Sequence, residues 1–176
     1  MIFEPLALDG AYLIKPEINE DERGFFARNF CKEEFRAHGL VDEYVQCNIS
    51  FNKKKGTLRG MHFQRAPHEE TKLIQCTRGS IHDVIIDIRT NSHTRGQWLG
   101  LELTEDNHSM LYVPDGFAHG FITLTVNTEI HYQMSTPYEA ASATGIRWDE
   151  AAFNISWPLM PKIISDRDRN FPDFTF

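Results

Sequence analysis

From Val45 to Met134 the chain is written almost wholly in one rhythm. Runs near 45–50, 57–64, 71–77, 81–88, 97–103, 109–113, 117–124 and 128–134 are rich in β-branched and aromatic residues. They are separated by turn signals such as Lys55-Gly56, Arg78-Gly79, Thr94-Arg95-Gly96, Glu105-Asp106-Asn107 and Pro114-Asp115-Gly116. Strands that recur every eight to twelve residues or so, with no helix between them, leave no length for the crossovers that a parallel sheet requires. They must pair antiparallel, so the expected class is all-β, a sandwich or barrel with short peripheral helices.

Residues 2–14 alternate loosely and read as one first strand stopped by Pro16. A polar turn over 19–24 opens into Phe25-Phe26-Ala27-Arg28-Asn29-Phe30, and two adjacent aromatics, one pointing each way, predict a strand covered on both faces. The best helix lies over 31–38, with Cys31 and Phe35 one turn apart and Gly39 just past its end. The tail from Trp148 is irregular and aromatic, with a helical turn expected over 149–153. No repeat, linker or low-complexity stretch divides the chain, so residues 1–176 read as a single domain.

One strand departs from the rhythm in its chemistry. Leu58-Arg59-Gly60-Met61-His62-Phe63-Gln64 places a cation, a titratable base and an amide close together. Strict alternation puts His62 and Gln64 on one face and Arg59 on the other, so a bulge at Gly60 is needed if both charged groups are to enter one pocket. A histidine alone in a strand is usually an ordinary hydrogen-bonded residue. Here a second segment, Val113-Pro114-Asp115-Gly116-Phe117-Ala118-His119-Gly120-Phe121, brings another just after a turn. Asp83, inside the apolar run Ile81-His82-Asp83-Val84-Ile85-Ile86, needs a buried partner.

The formal charge is 18 minus 25, or −7, which argues against nucleic acid or an anionic membrane as a partner, since either needs a basic surface. Any anionic ligand must be held by local cations. Three cysteines, Cys31, Cys47 and Cys76, are widely spaced with no C-x-x-C pair, which suggests neither a disulfide framework nor a zinc site. A reducing, cytoplasmic setting is expected, with no leader and no apolar membrane span.

The ordered set Leu58-Arg59-Gly60-Met61-His62-Phe63-Gln64, Lys72-Leu73, Asp83-Val84, Asp87-Ile88-Arg89, Gly96-Gln97-Trp98, Pro114 to Phe121, Trp157-Pro158 and Ile164-Ser165-Asp166-Arg167-Asp168 resembles the dTDP-4-dehydrorhamnose 3,5-epimerase family over roughly residues 22 to 168. The resemblance implies a cupin-type antiparallel jelly-roll barrel. It also implies a homodimer that exchanges N-terminal strands, no cofactor and no metal, and inversion at C3 and C5 of a nucleotide-linked 4-keto-6-deoxyhexose in deoxysugar biosynthesis. Such a reaction needs a base for the proton beside the ketone, a stabiliser for the enolate oxygen, and an acid on the opposite face. By resemblance the base is His62, oriented by Asp168. Lys72 and His119 face the sugar oxygen, Asp83 orients His119, and Tyr132 is the acid.

Nucleotide contacts fall, again by resemblance, to Gln46, Asn48, Arg59, Tyr138 and Arg167, with Arg23 and Phe26 reaching across the dimer. The sequence departs from the family pattern at Arg28, Pro137, Ala143 and Arg167, all on the nucleotide side. Two alternatives stay open. One is inversion at C3 or C5 only. The other is a metal-dependent cupin dioxygenase or isomerase, for which Pro114-x-Gly116-x-x-His119 fits one metal motif, while His62-Phe63-Gln64 lacks the second histidine of the other. Glu69 or Glu70 would then supply a carboxylate.

Overall fold

The computed structural model describes residues 1–175; Phe176, the last residue of the expected domain, lies outside the described residues. In chain order the elements are β1 (Ile2–Pro5), β2 (Tyr12–Lys15), β3 (Ile18–Asp21), β4 (Gly24–Ala27), α1 (Lys32–Ala37), β5 (Gln46–Asn52), β6 (Leu58–Gln64), β7 (Lys72–Arg78), β8 (Ser80–Asp87), β9 (Trp98–Thr104), β10 (Met110–Val113), β11 (Phe117–Thr123), β12 (Thr128–Met134), β13 (Ala143–Gly145) and α2 (Asp166–Arg169). One sheet has the order β1-β2-β10-β7-β12-β5 and the facing sheet the order β13-β6-β11-β8-β9, while β3 and β4 form a hairpin of their own. Every named strand pair is antiparallel, and the architecture is the expected jelly roll.

Alternation along the strands builds a core in three tiers. Ile74, Cys76, Ile81, Ile85, Leu111, Phe117, Phe121 and Ile130 point inward and fill the space between the sheets. The outer face of the first sheet packs Ile14, Leu73, Met110 and Tyr112 against Phe35 of α1. The outer face of the second packs Val84, Ile86 and Ala118 against Ile146 and Phe153, with Ile155 and Trp157 of the C-terminal tail beside them. The consecutive apolar residues Val84-Ile85-Ile86 of β8 follow from this, because both of its faces are covered. The aromatic tail is therefore a lid on a sheet face, with Trp157 Nε1 donating to the Trp148 carbonyl at 2.9 Å.

Three local expectations change. The single strand over 2–14 is two strands that pair with each other, Ile2 opposite Lys15 and Pro5 opposite Tyr12. The chain reverses between them, with Leu6 N–H donating to the Ala11 carbonyl at 2.9 Å and Gly10 at φ +82°. Phe25 and Phe26 are not covered within the chain: they are 52% and 76% exposed. Finally, the tail contains a short helix, α2, capped by Ser165, whose hydroxyl accepts from the Asp168 N–H at 3.1 Å. The helix expected over 31–38 is α1, followed by Gly39 at φ +70°, and in the tail the Glu150 carbonyl accepts from the N–H groups of Phe153 and Asn154 in one turn.

Candidate active site

At one end of the space between the sheets the inward side chains turn polar. A cavity of about 320 Å³ opens there, and Gln46, Asn48, Arg59, His62, Lys72, His119, Tyr132, Tyr138 and Arg167 all line it. Nine of the residues singled out in the sequence thus converge from five strands, one loop and the helix α2. A wider groove of about 800 Å³, bordered by Arg65, Glu69, Arg89 and Asn91, contributes no histidine, lysine or tyrosine. The smaller cavity is the one with convergent polar chemistry.

The local cause of the convergence is a bulge. His119 of β11 lies opposite His62 of β6, yet two residues further along β11 Phe121 lies opposite Arg59, three residues back on β6. The extra residue falls in the Gly60-Met61 region, as the alternation argument requires, and it turns Arg59 to the same side as His62. Only glycine fits at position 60: φ is +136°, and a Cβ there would sit 2.5 Å from the Gly120 Cα. Cross-strand pairing also sets the two histidines side by side.

Each histidine is backed by a carboxylate. His62 Nε2 lies 2.7 Å from Asp168 Oδ1, and Gly60 N–H donates to Asp168 Oδ2 at 3.2 Å. Burial raises the Asp168 carboxyl, but the hydrogen bonds from His62, Gly60 and Ser165 outweigh it and hold the group below its ordinary 3.8. His119 Nε2 lies 2.5 Å from Asp83 Oδ1. Asp83 is fully buried, and its Oδ2 has no hydrogen-bond partner among the described residues.

Across the cavity, on the facing sheet, stands Tyr132, its ring 6.2 Å from that of His119. Burial first, then the Asp83 carboxylate, push the phenol above its ordinary value, against the pull of Arg59 and a hydrogen bond with Ser50. The hydroxyl therefore stays protonated at neutral pH. Lys72 is 8% exposed and its ammonium lies 2.9 Å from Glu70. Arg59 is steered by Asn52, which accepts from Nε at 2.8 Å and leaves the rest of the fork for a ligand. Gln46 fixes the Tyr138 loop by accepting from its N–H at 3.1 Å, and Arg167 reaches the Ala143 carbonyl at 3.2 Å.

Four expected residues do not line the cavity. Asp168 and Asp83 stand behind the two histidines, each in contact with a ring Nε2. Arg23 and Phe26 sit on the β3–β4 hairpin in a depression of their own, with Arg23 paired to Asp21 at 2.5 Å. Asn52, Ser50 and Phe121 were not anticipated, and Glu70 was considered only as a metal ligand. Among the described residues no three His, Cys, Asp or Glu side chains are grouped to hold a metal ion. Nor is any helix long and apolar enough to cross a membrane.

A family model described as dTDP-4-dehydrorhamnose 3,5-epimerase matches residues 5–175. A protein of that name from Sinorhizobium fredii is 40% identical over 173 residues, covering 98% of this chain and 89% of its own. The dTDP-4-dehydrorhamnose 3,5-epimerase of Bacillus anthracis, solved with TDP and PPi bound, superposes with a TM-score of 0.95 at 40% identity, covering 98% of this chain and 99% of its own. ChmJ of Streptomyces bikiniensis, a 3'-monoepimerase solved with dTDP-quinovose, superposes with a TM-score of 0.89 at 31% identity, covering 97% and 86%.

Proposed function

The chain belongs to the dTDP-4-dehydrorhamnose 3,5-epimerase family and is an isomerase that epimerises a nucleotide-linked 4-keto-6-deoxyhexose, and we propose that His62 and Tyr132 carry its two proton transfers. The observation that carries this reading is that the two side chains line one cavity from opposite sheets. A sugar ring held between the sheets offers one face to each.

With Asp168 ionised, His62 Nε2 bears the proton it donates to that carboxylate, and Nδ1 is left as the basic nitrogen. It removes the proton beside the C4 ketone. Charge then develops on O4, where the Lys72 ammonium and His119 stabilise it; a donor of this kind is worth about 3–4 kcal/mol. Asp83 holds the His119 ring in orientation through its contact with Nε2. Tyr132, held protonated by its surroundings, delivers a proton to the other face, and a strongly basic enolate carbon is the acceptor that draws it from so weak an acid.

Arg59, with Gln46, Asn48, Tyr138 and Arg167, holds the nucleotide. Arg59 suits a diphosphate because its planar fork donates paired hydrogen bonds. The reading extends to inversion at both C3 and C5, and what supports it is that relatives with about 40% identity are named 3,5-epimerases. Fold alone does not choose between one centre and two, since the 3'-monoepimerase shares it.

The working unit is one domain paired in a homodimer. Ile18, Phe25 and Phe26 on the hairpin, Val45 just before edge strand β5, and Ile49 and Phe51 along it are all exposed apolar residues, and pairing of hairpin to edge would bury both sets. Arg23 and Phe26 then approach the partner's cavity. Sedimentation equilibrium at micromolar concentration is expected to give a dimer; a monomer sinks this part. A cytoplasmic site agrees with three free thiols, one of them exposed.

The test is Tyr132→Phe in D₂O with dTDP-4-keto-6-deoxyglucose, following C3 and C5 by NMR. Deuterium is expected to enter with retained configuration, while epimerised product falls by roughly 10²-fold. Epimerisation at the wild-type rate would make Tyr132 a packing residue. Loss of both events in a protein that still binds nucleotide would move Tyr132 into the deprotonation step.

A further inference from the structure

Lys72 is not alone in the cavity wall. Glu70 stands two residues before it, and both side chains are about nine-tenths buried, at 9% and 10% exposed. Glu70 Oε1 takes one N–H of the ammonium at 2.9 Å, and the His62 carbonyl lies at 3.5 Å from the same nitrogen. An ammonium has three donors. With one on Glu70 and one directed to His62, the third is left for the cavity that Lys72 lines.

The carboxylate is itself held. Gln64 Nε2 donates to Glu70 Oε2 at 3.3 Å and to the His68 carbonyl at 2.9 Å, while Gln64 Oε1 accepts from the Glu139 N–H at 2.6 Å. Gln64 lies two residues after His62 on β6, so the same strand that presents the base anchors the chain of contacts to the lysine. A carboxylate beside an oxyanion stabiliser is at first sight counterproductive, because it offsets the pull of the ammonium on a developing negative charge. What it supplies is direction and a counter-ion for a buried cation, and fixed donors count for more than mobile charge in stabilising a transition state.

We propose that Glu70, braced by Gln64, is a positioning residue for the reaction: it orients Lys72 so that one N–H points at the ketone oxygen. The proposal rests on the role given above to Lys72. Glu70 touches no reacting atom, so its whole effect must pass through Lys72.

The experiment is a double-variant cycle of Glu70→Ala and Lys72→Met, read by deuterium entry at C3 and C5, by kcat and KM, by dTDP binding and by Tm. Glu70→Ala is expected to slow deuterium entry and kcat together by roughly 10- to 10²-fold, with KM and dTDP affinity within about threefold of wild type. In the Lys72→Met background the same change is expected to cost nothing further.

Wild-type exchange in Glu70→Ala would overturn the proposal, as would a second full loss in the double variant, since Glu70 would then act independently. A loss that tracks weakened dTDP binding would equally overturn it. If Lys72→Met itself exchanges normally, the role of Lys72 fails instead, whatever Glu70 does. Repeating the cycle with Glu70→Met, which keeps the side-chain volume but cannot accept from the ammonium as a carboxylate does, provides the same coupling measurement should the alanine variant fold poorly; a coupling factor within about twofold of one in that cycle overturns the proposal.

Discussion

The site holds two histidine–carboxylate pairs, built on neighbouring positions of adjacent strands, and they differ in where the carboxylate comes from. Asp83 reaches His119 from the next strand of the same sheet, inside the core, and the two side chains are 0% and 5% exposed. Asp168 reaches His62 from the far end of the chain, on a four-residue helix, and His62 is 41% exposed. An imidazole that must accept, pass on and regain a proton each cycle needs access to substrate and solvent. One that serves as a fixed donor gains from being dry, because its field is stronger there and its geometry does not fluctuate. On the proposed mechanism, similar side chains do different work because their burial differs.

The comparison breaks if the two histidines respond alike to removal. His62→Ala is expected to lower kcat by about 10³- to 10⁴-fold and abolish deuterium entry at both centres. Its effect on stability is expected to be about 1 kcal/mol or less, since His62 is itself 41% exposed and the buried Asp168 keeps its hydrogen bond from the Gly60 N–H. His119→Ala should reverse the emphasis. The Asp83 carboxylate is left buried with neither oxygen bonded, which costs about 3–5 kcal/mol in chemical denaturation, while the rate falls by about 10²- to 10³-fold. Equal losses in both measurements for the two variants would mean that exposure does not divide their roles.

A smaller effect sharpens the same contrast. Asp168→Asn keeps His62 in place but removes the charge that supports the imidazolium, and a loss of about 10- to 10²-fold in kcat is expected, milder than for His62→Ala. A loss as large as that of His62→Ala would mean Asp168 does more than orient. Smallest is the pH dependence of stability. The Asp168 carboxyl is depressed in the folded state, so its contribution is fully present above the unfolded value near 3.8 and is lost as pH falls through the lower folded value. Wild type and Asp168→Asn should therefore differ in denaturation midpoint at neutral pH and converge in strong acid. A gap that persists at pH 2 would assign the difference to packing instead.

How far the site could be read in advance depended on the range of the signal. Glu70 lies in the segment before β7, outside the strand that carries Lys72, so alternation gave no signal for this pair. The bulge at Gly60 was readable from alternation, since Arg59 and His62 cannot share a face without it. Asn52 as the support for Arg59 carried no such signal, because the two lie on different strands and meet only through the turn between them.

Taken by itself, the sequence determined what is local: the rhythm of β5 to β12 to within a residue or two, the stop at Gly39, and the order of motifs that marks the family. These depend on side-chain alternation and turn chemistry, which act over a few residues. It did not determine that residues 2–14 fold back as two strands, because a loose alternation fits one strand or two and the choice lies in tertiary pairing with β10. Nor did it show that Phe25 and Phe26 stand uncovered by their own chain. Only the tertiary structure decided that Asp168 lies behind His62, 106 positions away in sequence. The tail is carried there by apolar burial of Phe153, Ile155 and Trp157 on the outer face of the second sheet, a long-range contact that no short window of sequence contains.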